Sequence, residues 1–200
     1  MTRVLEQDEA VRVLARGGVV ALPTDTVYGL AASLRHPDAL ATLFRLKHRP
    51  ESAALPVLVE DFTQIERLSV HWPEAARRLS VVYWPGPLTI VVRVPGELAR
   101  LVGSATDTAG FRIPDDDALR EILARTGPLA LSSANKHGVT PCHTMAEVLE
   151  AFVGRDELDG VVDGGERSGR VSTVVDLSQS PWRLLREGAV ASSDLRQILD

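Results

Sequence analysis

The stretch LTIVVRV, residues 88–94, decides how the chain is read. Valine and isoleucine fall on both faces of this expected strand, so it is predicted to be buried on both sides, as in sheets covered by helices. The rest of the chain supplies the covering layers. A helix is expected over 6–16, with Ala10, Val11, Leu14 and Ala15 at helical spacing and a stop at Gly17–Gly18. Further helices are expected over 38–46, 73–82, 115–125 and 193–199, the third of these with acidic residues in its first turn. Thr144 followed by Glu147 predicts a capping box at the start of a helix over 144–152. Strands are expected at 18–22, 55–60, 110–113, 129–132, 173–177 and 182–186. This interleaving predicts an α/β fold around a twisted, mostly buried mixed sheet flanked by helices. No repeat or Gly/Ser/Pro-rich linker divides the chain, so residues 1–200 are expected to form one domain.

Composition narrows the function. Hydrophobic residues make up 44% of the chain, enough for a substantial core, and the net charge of −5 argues against general coating of nucleic acid. Any anion site must therefore be local. The single cysteine, Cys142, excludes an internal disulfide and fits a reducing cytoplasm. The N-terminus is acidic where a secretion signal would be basic and then apolar, and no apolar run reaches the ~20 residues of a membrane span. These features predict a cytoplasmic protein without membrane contact.

Four polar clusters follow expected strands, where open α/β sheets bind ligands. In PTDTVYGL, residues 23–30, Thr24, Asp25 and Thr26 either hold a small polar ligand or form a turn that caps the next helix. Lys47, His48 and Arg49 concentrate positive charge at a helix end before Pro50. The helix dipole alone favours cations there, but a lysine beside an arginine is also a phosphate grip, a compact charge next to a planar fork. Ser132, Ser133 and Asn135 of LSSANKHG offer short hydroxyl and amide groups, or form an ordinary polar loop. Arg112, inside the apolar GFRIP, must meet a carboxylate or phosphate if buried. Ser172 and Thr173 open a strand and Arg186 closes the next. No GxxxxGK[ST], HExxH or GxSxG occurs, and the five histidines lack metal-ligand spacing. Cys142 and His143 are adjacent, an arrangement that rarely makes a nucleophile–base pair.

In order along the chain, PTDTVYGL, the KxRP turn at 47–50, LPVLV, WPGPLTIVV, GFRIP, SSAN, STVVDL and LLREGAV resemble the YrdC-like domain of threonylcarbamoyl-AMP synthases. The motifs span about 6–190, and the chain resembles the short, single-domain type. The resemblance implies a YrdC-like fold with a positively charged cavity. It also implies that L-threonine, bicarbonate or CO2 and ATP give threonylcarbamoyl-AMP and pyrophosphate, a nucleotidyltransferase reaction. A threonylcarbamoyl transferase machinery would then modify tRNA. Lys47 and Arg49 would be catalytic and grip the phosphates. Ser132, Ser133, Asn135, Ser172 and Arg186 would complete the ATP site, and Thr24, Thr26 and Arg112 would hold threonine. Mg2+ would ride on ATP, with no tightly bound protein metal. Ala53, Ala54 and His137 depart from the family's usual basic, Pro/Gly and serine positions. The alternative reading is a non-catalytic paralogue that binds tRNA or double-stranded RNA. Related domains that make carbamoyl-adenylate for hydrogenase maturation sit in longer chains with zinc-finger parts, which nothing here resembles.

Overall fold

The computed structural model describes residues 2–47, 54–135 and 139–200. Along the chain these form β1 (Arg3–Val4), α1 (Gln7–Ala15), β2 (Val20–Leu22), β3 (Gly29–Ser33), α2 (Pro37–Lys47), β4 (Val57–Leu58), α3 (Phe62–Arg67), α4 (Glu74–Tyr83) and β5 (Leu88–Arg93). There follow α5 (Gly96–Leu101), β6 (Thr108–Arg112), α6 (Asp117–Thr126), β7 (Leu129–Ser133), α7 (Met145–Ala151), β8 (Gly160–Val161), β9 (Thr173–Asp176), β10 (Arg183–Arg186) and α8 (Ser192–Leu199). The strands make one mixed sheet in the order β1-β8-β2-β3-β7-β4-β6-β5-β9-β10. The expected α/β class therefore holds.

Helix ends follow the local chemistry. Asp61 and Asp116 accept from the backbone N–H groups of Gln64 and Leu119, capping α3 and α6. Both halves of the Thr144–Glu147 capping box are formed on α7.

The two faces of the sheet are covered unequally, and this creates the cavity. On one face, side chains of α2, α4, α5, α7 and α8 close over a long core that includes Leu30, Leu88, Ile90, Val92, Phe111 and Val175. On the other face, α1 and α6 bury Val20, Leu22, Ala31, Leu58 and Leu129 beneath Leu14, Leu119 and Leu123. Each such leucine contributes about 1.5–3 kcal/mol. That second core stops at Leu58 and Leu131. From there to β10 the face lies open.

The expectation for 88–94 needs correction accordingly. Leu88, Ile90 and Val92 enter the core, whereas Thr89 and Val91 face the open side and line a cavity. The apolar second face of β5 is cavity floor rather than helix contact. PTDTVYGL also differs from expectation, since a strand, β3, follows the turn rather than a helix. Gly29 opens β3 opposite Ser133, and a Cβ there would lie 2.3 Å from Leu131 Cδ2, so the Leu131 side chain occupies the space that glycine leaves. The strand expected over 55–60 is reduced to Val57–Leu58.

Candidate active site

The open part of the sheet lines a cavity of about 450 Å³, within the range of small-molecule sites. Strand alternation supplies its floor. Thr108, Gly110 and Arg112 of β6, Thr89 and Val91 of β5, and Leu131 and Ser133 of β7 point to it from every second position. Thr24, Thr26, Ser132, Ser172 and Arg186 also line it. Seven of the residues singled out from sequence, spread from Thr24 to Arg186, thus meet around one space.

At one end stands Arg112, the last residue of β6, 4% exposed. Its Nε donates to Gly86 O at 2.9 Å, Nη1 to Thr26 Oγ1 at 3.2 Å and Nη2 to Asp25 Oδ1 at 2.5 Å. The carboxylate that a buried arginine requires is therefore Asp25. Burial pulls the Arg112 pKa down, and the Asp25 charge and hydrogen bond oppose that shift. The guanidinium stays charged. The Thr24–Thr26 turn is internally braced. Thr24 Oγ1 bonds Thr26 Oγ1 at 2.9 Å, donates to Val27 O at 2.7 Å and accepts from the Thr26 and Val27 amides.

Lys47, at the end of α2, is 2% exposed and, like Asn135, is not among the residues that line the cavity. Its Nζ donates to Ser133 O at 2.6 Å, Asn135 O at 2.7 Å and Asn135 Oδ1 at 2.8 Å. Asn135 Oδ1 also accepts from Ser133 Oγ at 2.6 Å, and Asn135 Nδ2 donates to Val139 O. The lysine and the SSAN segment thus form one hydrogen-bonded unit, joined to the cavity through Ser133. Arg49 lies outside the described residues, as do His48, Pro50, Ala53, Lys136 and His137. Ala54 is described and lines the cavity.

At the β9–β10 end, Arg186 donates to Ser172 O at 2.9 Å and Ser172 Oγ at 3.0 Å, and Ser172 Oγ bonds Thr89 Oγ1 at 3.0 Å. Thr173 turns away from the cavity and braces the strand connection, donating to Val190 O and accepting from the Gly188 and Val190 amides.

Some participants escaped the sequence reading. Residues 162–172 link β8 to β9 across the sheet and form a strap beside Thr26. A Cβ on Gly169 would lie 2.7 Å from both Asp25 O and Thr26 Cα, so glycine permits this close approach. Tyr28 Oη accepts from Gly164 N and donates to Gly165 O, and Arg167 pairs with Asp116 at 3.0 Å, tying the strap down. Ser104 and Thr106, after α5, add hydroxyls to the cavity wall. Their clustering in LVGSATDTAG was a visible signal, but the short helix before them left it without a place. Cys142 is buried, and burial pushes its thiol up to about 11, so it is no nucleophile at neutral pH. His143 shares its Nδ1 with Arg167 O. Among the described residues no group of three His, Cys, Asp or Glu side chains converges as a metal site, and no helix is long and apolar enough to cross a membrane.

Comparison with known proteins shows the family. The Sua5/YciO/YrdC family model, described as telomere recombination, matches residues 12–188. The chain belongs to this family. It is 35% identical over 192 residues to the threonylcarbamoyl-AMP synthase of Pyrococcus abyssi, a match that covers 95% of this chain and 56% of that relative. A putative threonylcarbamoyl-AMP synthase of Mycobacterium tuberculosis is also 35% identical, with 95% of this chain and 87% of the relative covered. The solved structure of P. abyssi Sua5 in complex with L-threonine superposes with a TM-score of 0.90 at 32% identity, over 99% of this chain and 60% of that one. The chain thus spans little more than half the length of the archaeal relative.

Proposed function

We propose that the protein is an L-threonylcarbamoyladenylate synthase, a nucleotidyltransferase that makes threonylcarbamoyl-AMP and pyrophosphate from L-threonine, bicarbonate or CO2, and ATP. The observation that carries this reading is the meeting of Thr24, Thr26, Arg112, Ser132, Ser133, Ser172 and Arg186 around one cavity. Family membership and the threonine complex of a relative support the same assignment.

In this reading the Thr24–Thr26 end, with Arg112, takes threonine. A guanidinium carries five N–H donors, and the three bonds of Arg112 leave two without a partner among the described residues. These would receive the substrate carboxylate. The threonine amine adds to CO2, losing a proton and forming a carbamate. A carbamate oxygen then attacks the α-phosphorus of ATP, and pyrophosphate leaves. The chain's part is positioning and charge neutralisation. Lys47 and Arg49 would hold the phosphates as charge builds on the leaving group, and Ser132, Ser133, Asn135, Ser172 and Arg186 would frame the nucleotide. Together these cations would give the cavity its positive potential. Magnesium would enter on the ATP phosphates as part of the substrate. The product would pass, in the cytoplasm, to the threonylcarbamoyl transferase machinery that modifies tRNA.

The test is pyrophosphate release by purified protein with ATP and magnesium, with threonine and bicarbonate each added or withheld. Release that needs both, with the acyl-adenylate detected by mass spectrometry, is the expected result. A folded protein that binds ATP yet releases nothing overturns the assignment.

A further inference from the structure

Asp25 has no role in the reading above, yet the structure gives it a defined place. Its neighbours Thr24 and Thr26 line the cavity, while its own side chain, 11% exposed, is spent on Arg112. Arg112 is held at three different nitrogens by two segments: Nε by Gly86 O, and Nη1 and Nη2 by the consecutive residues Thr26 (Oγ1) and Asp25 (Oδ1) of one turn. Three such anchors fix the plane of a guanidinium. One N–H then remains on each of the two terminal nitrogens, and each can make a charge-assisted hydrogen bond to a carboxylate. Of the anchors, only Asp25 is charged, and a hydrogen bond to a charged partner is the stronger kind. Asp25 also balances a buried cation that would otherwise be costly before substrate arrives. A zwitterionic amino acid then brings no net charge to this buried pair. The turn itself is rigid, because Thr24 Oγ1 closes it and Gly169 packs on its backbone.

We propose that Asp25 is a positioning residue, which fixes Arg112 so that its remaining donors serve the carboxylate of the amino-acid subsite. This rests on the assignment of that end of the cavity to threonine.

The test compares wild type, Asp25→Asn and Asp25→Ala, using calorimetric binding of L-threonine to folded protein and the KM values for threonine and ATP. Asp25→Ala is expected to weaken threonine binding and raise its KM about tenfold or more, with the KM for ATP within about twofold. Asp25→Asn keeps an oxygen acceptor for Nη2 and should recover part of the affinity. A purely structural role would instead lower the melting temperature and the folded fraction while leaving the threonine affinity of that fraction unchanged. That result overturns the proposal, as does threonine binding by Asp25→Ala equal to wild type. If Asp25→Ala does not fold, Asp25→Asn with wild-type threonine affinity and KM overturns it equally. A wild-type protein that binds no threonine at all overturns the function assigned to the cavity, and the role of Asp25 with it.

Discussion

The Lys47 ammonium and the Asn135 side chain, 88 positions apart, are in direct contact, with Nζ 2.8 Å from Oδ1. The helix end and the loop after β7 therefore act as one element. A cation is placed beside the cavity on neutral oxygens of Ser133 and Asn135. Such a cradle fixes the orientation of the ammonium group.

Replacing Lys47 with alanine should reduce threonine-dependent pyrophosphate release by about 100-fold or more. The truncation leaves the Ser133 and Asn135 oxygens without this donor, so the stability loss should be about 1–3 kcal/mol. Steady-state kinetics beside a denaturant melt separates the two. An unfolded Lys47→Ala protein, or one with wild-type turnover, would remove Lys47 from the catalytic role.

Arg112→Ala strands the Asp25 carboxylate in a buried site and should cost about 3–5 kcal/mol. Adding Asp25→Asn removes the stranded charge and should restore part of that loss. A double-mutant cycle by urea unfolding measures the coupling. Additive effects would show that the two side chains do not depend on each other.

Gly169→Ala places a methyl against the backbone of Asp25 and Thr26, neither of which is a flexible side-chain end. The strap must shift, at a cost of about 1–3 kcal/mol. Because the displaced contact lies beside Thr26, the KM for threonine should rise while that for ATP changes little. Equal KM changes for both substrates would mean the strap has no special relation to the amino-acid end.

The Cys142 thiol is raised from 9.0 to about 11 by burial, reinforced by Glu147 and opposed by Lys47. Between those values the unfolded chain has lost the thiol proton and the folded chain retains it. The contribution is therefore complete below pH 9 and disappears as pH rises towards 11. Cys142→Ser should flatten this alkaline loss in melts taken across that range. Native protein at pH 8 should also resist thiol alkylation, and rapid labelling by iodoacetamide would contradict the buried placement.

Much of this protein was legible from side-chain pattern. The Thr144–Glu147 pair predicted a capping box, and both of its bonds are present. The helix 6–16 and the strands at 129–132 and 173–177 appear within a few residues of expectation, since their apolar spacing is dictated locally. The two-residue strands β1 and β8, and the six-residue α3 and α5, were not seen, because so short a segment carries no period. β3 was missed for another reason. Its sequence GLAAS is mostly small residues without a β-branched or alternating pattern, and it is held as a strand by pairing with β2 and β7 on its two sides.

By itself the sequence determined the α/β class, the positions of most helices and strands, and the polar residues that follow strand ends, because these depend on neighbours in the chain. It also determined that a buried Arg112 must find a negative partner. Only the tertiary structure decided that this partner is Asp25, that Lys47 rests on Ser133 and Asn135, and that one face of β5 lines a cavity instead of a core. These are contacts between segments far apart in the chain. They depend on strand order, on where α1 and α6 stop covering the sheet, and on the path of the strap, none of which leaves a local pattern.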